Sequence, residues 1–352
     1  MKGRRLTRMA DLMHLPAIQL VLGSDEDVES FLQTVDRQLE PYLKRSLTCI
    51  PAEDGLKEGV SYQVHSGGKR IRAALCVTVC ELFCGSSQRA LCFAVALEHL
   101  QNFSLIHDDI ADGDPQRRGQ ASTWARFGVA QAINLGDVFV ALSAVSILES
   151  TYSQQLKLRL MQLVAQWGIE MAEGQSLDIQ LRANNTPSVE AYLECTKKKT
   201  GAFLAMAMLG GGVIGGAREK ELSALKEFAL LAGTAFQIRD DLLDLLGSKG
   251  RPLGSDILEG KRTLPVIHAL QHASDAERSR LLSILNTPRV ANTVDEVQWV
   301  CQLYEQIGAI EYAERLSEQL IEQAGVHFRK LPERKAKYRL ARIATYLSQR
   351  KH

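Results

Sequence analysis

Residues Arg89–Asp112 read RALCFAVALEHLQNFSLIHDDIAD, and as far as Asp109 the apolar positions return every three or four residues. That period belongs to a helix with one face turned into a core. The segment closes on acids, Asp108-Asp109-Ile110-Ala111-Asp112. On a helix its first and fifth residues lie one turn apart on the same face, so Asp108 and Asp112 aim two carboxylates at one point.

The same period extends outward, with helices expected over Asp25–Leu43 and Gly68–Phe83. Thr186-Pro187-Ser188 ahead of Glu190 predicts a helix start with proline near the first turn, and Ser24 with Asp27 a weaker cap. No run of alternating β-branched residues argues for a sheet. The breaks at 182–187, 246–263 and 286–295 are rich in Gly, Pro, Asn or Ser, and none reads as a domain linker. One all-α domain is expected, a large single-domain helical bundle with short connections over residues 24–352, preceded by an extension over residues 1–23.

The chain has 352 residues, 45% apolar and 24% charged, with 42 basic against 41 acidic side chains. A soluble globular class fits, and the balance of charge argues against a nucleic-acid surface. Lys2, Arg4, Arg5 and Arg8 open the chain, but Asp11, His14 and Pro16 interrupt any signal-peptide core. The most apolar stretches, Phe203–Ala217 and Val138–Leu148, fall short of the roughly 20 residues a bilayer crossing needs, so no transmembrane segment is expected. Seven cysteines, an odd number in a chain of this size, point to a reducing, cytoplasmic setting. Cys76, Cys80 and Cys84 recur every four residues on one helix stripe, a spacing that allows a zinc site but is far more common for small core side chains.

A second acidic motif, Asp240-Asp241-Leu242-Leu243-Asp244, closes the apolar segment Leu225–Ile238 as the first closes Ala94–His107. One acidic turn is commonly a solvated surface, but two at the ends of core helices call for a cation. Oxygen donors without sulfur or imidazole suit Mg²⁺, and Mn²⁺ is compatible with the same ligands. A calcium loop fails: counted from Asp108, position three is Ile110 and position twelve is Gly119. Basic elements that suit phosphates stand apart, at Gly67-Gly68-Lys69-Arg70-Ile71-Arg72, Arg117-Arg118-Gly119, Lys197–Lys199, Arg251 and Gly260-Lys261-Arg262. Neither Gly-Lys pair continues into the Ser/Thr of a P-loop, which removes the main support for ATP hydrolysis.

With these motifs in order, joined by Ser104 through Asp109, Gly174-Gln175 with Asp178, Lys199-Thr200, Phe236-Gln237 and Gly254-Ser255-Asp256, the chain resembles the trans-isoprenyl diphosphate synthase (polyprenyl synthetase) family. The resemblance covers nearly all of residues 24–350 and is to the short-chain type that makes geranylgeranyl or farnesyl diphosphate. It implies the isoprenoid-synthase bundle with a central active-site cavity, and the joining of isopentenyl diphosphate to dimethylallyl, geranyl or farnesyl diphosphate. It further implies that Asp108, Asp112 and Asp240, supported by Asp109, Asp241 and Asp244, hold about three Mg²⁺ ions on the allylic diphosphate. Arg117, Lys199, Lys261 and Arg251 would bind that diphosphate, and Thr200 and Gln237 would face the allylic cation. Isopentenyl diphosphate would meet Lys69, Arg72, Arg118 and Gln101, with Gln175 also among the substrate-binding residues.

Product length is implied by Phe103, five residues before Asp108 and so about 7.5 Å down the helix. A large aromatic there, with small Ser104 beside it and no insertion in the motif, resembles a C20 producer more than a C15 one. The family also implies a homodimer. Ala121-Ser122-Thr123, Gly113, Asp114 and Arg262 depart from its common residues without touching an expected ligand. A class I terpene cyclase and a non-catalytic subunit of a heteromeric synthase are the competing readings; both acidic motifs being complete weighs against each.

Overall fold

Gly67, Gly68 and Arg70 hold positive φ values of 81°, 151° and 50°, so the helix expected from Gly68 begins only at Ile71. A computed structural model describes residues 28–50, 55–245 and 254–348 of the chain. The expected extension, the Ser24–Asp27 cap and Arg251 lie outside those residues.

Sixteen α-helices are found among the described residues: α1 (Val28–Ser46), α2 (Gly55–His65), α3 (Ile71–Cys84), α4 (Leu91–Asp112), α5 (Thr123–Phe127), α6 (Val129–Leu148), α7 (Gln154–Arg182), α8 (Val189–Thr196), α9 (Ala202–Gly215), α10 (Glu219–Asp244), α11 (Ser255–Leu258), α12 (Leu264–His272), α13 (Asp275–Leu285), α14 (Val294–Gln306), α15 (Ala309–Phe328) and α16 (Lys335–Ser348). Helix α9 is the axis of the bundle. Its sequence is apolar or small all round, and every side from Ala202 to Gly212 is buried, as a helix with no polar face must be. Helices α3 and α10 pack on it, α4 packs on α6, and α15 covers α10. A smaller core around Val266, Leu281, Val300 and Tyr304 joins α11 to α15.

Three local findings differ from expectation. Ser188 caps α8 by accepting the Ala191 N–H at 3.1 Å, so Pro187 stands just outside the helix and not in its first turn. A short antiparallel hairpin, β1 (Gln116–Arg117) and β2 (Gln120–Ala121), pairs Gln116 with Ala121 and Arg117 with Gln120. And the apolar stretch counted as Val138–Leu148 is part of α6, which has 20 residues and a mean hydropathy of 1.6 and is therefore long enough to cross a bilayer. Leu135, Phe139 and Leu142 bury one face of α6 against the protein, while Val129, Ile133, Val140 and Leu148 are exposed. Cys76 and Cys80 are buried core side chains, and the sulfurs of Cys80 and Cys84 lie 3.6 Å apart.

Candidate active site

Helix α4 carries the whole first motif and ends on Gly113, whose φ of 66° makes the left-handed cap. Asp108 and Asp112 are half-buried on its inner face, and Asp109, one step round the helix, is buried. Arg117 from the hairpin donates to Oδ1 of Asp109, its Nε at 2.8 Å. The structure thus gives Asp109 and Arg117 to each other. Arg182, the last residue of α7, donates to Oδ1 of Asp112 at 2.7 Å and to Asp178 at 3.1 Å. Lys261 stands 3.5 Å from Oδ2 of Asp112.

The α8 helix runs into a single π turn, Lys197–Gly201, before α9 begins. Such a turn adds one residue and re-aims the side chains on its far side. Lys198 pairs outward with Glu173 at 2.5 Å, whereas Lys199 turns in, 3.0 Å from Asp178 and 3.6 Å from Oδ1 of Asp108. Gly174 on α7 makes room for this turn: a Cβ there would lie 2.4 Å from the backbone N of Lys199.

Thr200 then donates to Gln237 at 2.7 Å, Gln237 donates to Asp241 at 2.8 Å, and Tyr192 donates to the other oxygen of Asp241 at 2.7 Å. Asp240 is half-buried, and buried Asp244 accepts the backbone N–H of Asp256 at 2.9 Å. Asp256 in turn holds Lys261 at 2.9 Å. The two acidic motifs are therefore connected twice, through Lys199-Thr200 and through Asp256 with Lys261.

Burial works against the charges of Asp112, Asp178 and Lys261, and their pairing outweighs it; at Glu259 burial prevails and raises the carboxyl. For Asp112 burial raises the carboxyl, but Lys261 and then Arg182 hold it well below the usual carboxylate range. Asp178 is lowered likewise by Lys199 and Arg182 against burial. Burial would lower Lys261, yet Asp256, Asp112 and Glu259 raise it well above an ordinary lysine. Ionised carboxylates with oxygen donors only are a fitting set for a hard divalent cation. Oxygens of Asp112, Asp114 and Glu259 also lie within 4.8 Å of one another. Arg289 already balances that second group, 2.5 Å from Asp114 and 3.4 Å from Glu259.

The basic residues near the chain's Gly-Gly turn form the other half. Arg118, at the hairpin tip with φ 55°, donates to Ser66 at 3.1 Å and to the Gly67 carbonyl. Arg72 lies over the Phe203 ring, 4.3 Å from its centroid. Burial pulls the Arg72 guanidinium down to about 10 against the opposing pull of Glu98 and Asp108. Arg72 Nε, Gln101 Oε1 and Gln175 Oε1 are buried polar atoms without a hydrogen-bond partner among the described residues, a pattern suited to a polar ligand. Lys69 is exposed and donates to the Tyr346 hydroxyl of α16 at 2.8 Å. Arg70, between them, is structural: buried, it binds Glu98 at 2.9 Å and Asp36 at 2.8 Å. Phe103 is half-buried with its ring centroid 4.6 Å from that of His107. Arg182, Tyr192, Glu259 and Arg289 were not singled out from sequence.

A helical bundle that brings two acidic motifs beside buried guanidinium groups defines an all-α enzyme built to handle diphosphates. The chain belongs to the polyprenyl synthetase family, whose model matches residues 53–304. It is 33% identical to a short chain isoprenyl diphosphate synthase of Methanothermobacter thermautotrophicus, over 93% of this chain and 99% of that one. A geranylgeranyl pyrophosphate synthase of Geoglobus acetivorans is 30% identical over the same shares, 93% and 99%. The crystal structure of a geranylgeranyl pyrophosphate synthetase from Pyrococcus horikoshii superposes with a TM-score of 0.83 at 31% identity, over 92% of this chain and 99% of that one.

Proposed function

We propose that the chain is a short-chain trans-prenyltransferase that joins isopentenyl diphosphate to an allylic diphosphate and releases mainly the C20 product, geranylgeranyl diphosphate. One observation carries the reading: the π turn sets Lys199 against Asp108 of the first motif and Thr200 against Gln237, one helical turn before Asp241 of the second. A single bulge serves both motifs. Relatives named for short-chain and geranylgeranyl products support the chain length.

Bound on Asp108, Asp112 and Asp240, divalent metal, about three Mg²⁺ by family likeness, supplies Lewis-acid stabilisation of the charge on the departing diphosphate. The chain's own residues do the rest. Lys199 and Lys261 bring fixed charge to the diphosphate oxygens, and Thr200 fixes the Gln237 amide beside the carbon that loses its C–O bond. Arg72 and Arg118, with Lys69, hold the second diphosphate so that the isopentenyl double bond attacks that carbon; a proton then leaves for the released diphosphate. Apolar side chains beside the site, Phe103 of α4 and Phe203 of α9 among them, would keep water from the cation.

The exposed stripe of Val129, Ile133, Val140 and Leu148 on α6 suits a homodimer. Seven free thiols suit a reducing cytoplasm. The test is a product assay with Mg²⁺, isopentenyl diphosphate and each allylic primer, with sedimentation of the same sample. C20 product that disappears with chelator, from a dimer, is the expected result; no product from any primer would overturn the reading.

A further inference from the structure

We propose that Arg182 is a charge lock on the first acidic motif, occupying Asp112 until a diphosphate arrives and so tying metal uptake to substrate. The inference rests on the reading that Asp112 holds metal. Its ground is the unequal treatment of the two acids on the inner face of α4. Among the described residues Asp108 has one ion-pair partner, Lys199 at 3.6 Å, and its side chain keeps 27% of its exposure. Asp112 keeps 6%, and each of its oxygens already faces a cation: Oδ1 meets Arg182 at 2.7 Å and Oδ2 meets Lys261 at 3.5 Å. A divalent cation reaching Asp112 has to displace a guanidinium from a short, charge-assisted bond in a poorly solvated site.

The displaced group has somewhere to go. Asp178 stands one helical turn before Arg182 on α7 and already accepts from the same Nη2 at 3.1 Å, so the guanidinium can turn onto Asp178 without losing all its partners. Arg182 Nε is buried with no hydrogen-bond partner among the described residues, which leaves a donor for an oxygen brought by a ligand. An incoming diphosphate draws Lys199 and Lys261 to itself, and Asp112 becomes available as its cations are redistributed. Metal and Arg182 compete for one carboxylate; by linkage, whatever weakens one strengthens the other.

The competition has a sign that a scaffold role lacks. Were Arg182 only holding Asp112 in place, its removal would loosen metal binding; as a lock, its removal tightens it. Free Mn²⁺ is followed by electron paramagnetic resonance over the full chain, with and without inorganic diphosphate at matched free Mn²⁺. Arg182→Gln is expected to bind Mn²⁺ roughly fivefold or more tightly than wild type when diphosphate is absent. The gain on adding diphosphate should shrink, and Arg182→Lys should restore most of the wild-type pattern. Unchanged or weaker binding in Arg182→Gln overturns the lock. A melting curve checks that variant's fold, and if it fails, Asp178→Asn carries the test. Deprived of its second partner, Arg182 stays on Asp112 and Mn²⁺ binds more weakly; equal or tighter binding overturns the inference. A wild type that takes no Mn²⁺ even with diphosphate removes the metal reading itself, and the lock with it.

Discussion

Tyr192 donates its phenolic hydrogen to Oδ2 of Asp241 across 2.7 Å, and both residues are buried. Burial first, and then the Asp241 charge, keeps the phenol protonated far into base, so the donor is permanent. Tyr192→Phe leaves a buried carboxylate one donor short, a loss of about 1–3 kcal/mol. Urea unfolding should show a lower midpoint with an unchanged slope. Because Asp241 also orients Gln237, kcat should fall while both KM values hold. A variant with wild-type kcat would separate this chain of bonds from the chemistry.

Gly174 tests whether the π turn matters. In its Ala variant the new Cβ would sit 2.4 Å from the backbone N of Lys199 and 2.7 Å from the Lys198 carbonyl carbon, and backbone yields less readily than a side-chain tip. Alanine favours a helix by about 1 kcal/mol over glycine, but overpacking against backbone costs about 1–3 kcal/mol. Clash should win. Gly174→Ala is expected to unfold at lower urea and to lose activity out of proportion, since Lys199 and Thr200 are what the clash displaces.

The parts of the site legible in the sequence were those with a local period. Asp108 and Asp112 announce themselves by helical spacing at the end of an apolar run, and Asp240 repeats the pattern. Arg182, Tyr192 and Arg289 carry no such mark because the aspartates they meet, Asp112, Asp241 and Asp114, lie 70, 49 and 175 residues away in the chain. Only packing unites them. The hairpin was too short to show alternation, and its tip uses Arg118 in a conformation usually left to glycine. Helix α6 was undercounted because Gln131, Asn134 and Asp137 interrupt its apolar run; Asn134 and Asp137 are exposed, as polar residues on an outer face should be. The resemblance places Asp109 and Asp241 among the metal-supporting acids; of the partners they meet in the fold, Arg117 lies eight residues on from Asp109, whereas Tyr192 lies 49 residues from Asp241.

Acid should weaken the start of α10. The Arg218 side chain, and then its backbone N–H, hold Glu221 down to about 2 against an ordinary 4.5. A depressed folded value means the contribution is complete above about pH 4.5 and is lost as pH falls toward 2. Glu221→Gln keeps a side chain able to cap but removes the charge. Its urea midpoint should lie below wild type at pH 7, and the gap should close through that acid window. A gap that stays constant would assign the effect to shape and not to ionisation.

Arg72 and Lys199 should divide the two substrates between them. Arg72 stacks on Phe203 with its Nε unpartnered, whereas Lys199 is engaged with Asp108 and Asp178. Losing one charge-assisted contact of about 1.5–3 kcal/mol weakens binding roughly tenfold to a hundredfold. Arg72→Ala is expected to raise KM for isopentenyl diphosphate by that factor and leave the allylic KM alone. Lys would not rescue it, since stacking needs the planar guanidinium. Lys199→Ala should act on the allylic side and on kcat. Steady-state kinetics with each substrate varied decides the assignment, and equal effects of both variants on both substrates would refute it.

The chain-length reading makes Phe103 the limit on pocket depth, and two substitutions push that limit in opposite directions. Its ring lies 4.6 Å from His107 on the same helix face, half-buried below the first motif. Phe103→Ala removes the ring; since the side chain is only partly buried, the stability loss should fall below the roughly 3–5 kcal/mol of a fully buried phenylalanine. Products should then extend past C20 by one or more five-carbon units. Ser104 is the small neighbour, and Ser104→Phe would put a second ring about 1.5 Å along the same axis, shifting product toward C15. A depth limit predicts both shifts, whereas a core role for Phe103 predicts lost stability with C20 retained. Chromatography of the dephosphorylated products separates the two. If neither variant changes the length, the wall that stops growth is formed elsewhere in the bundle, and the proposed reaction stands without Phe103 as its ruler.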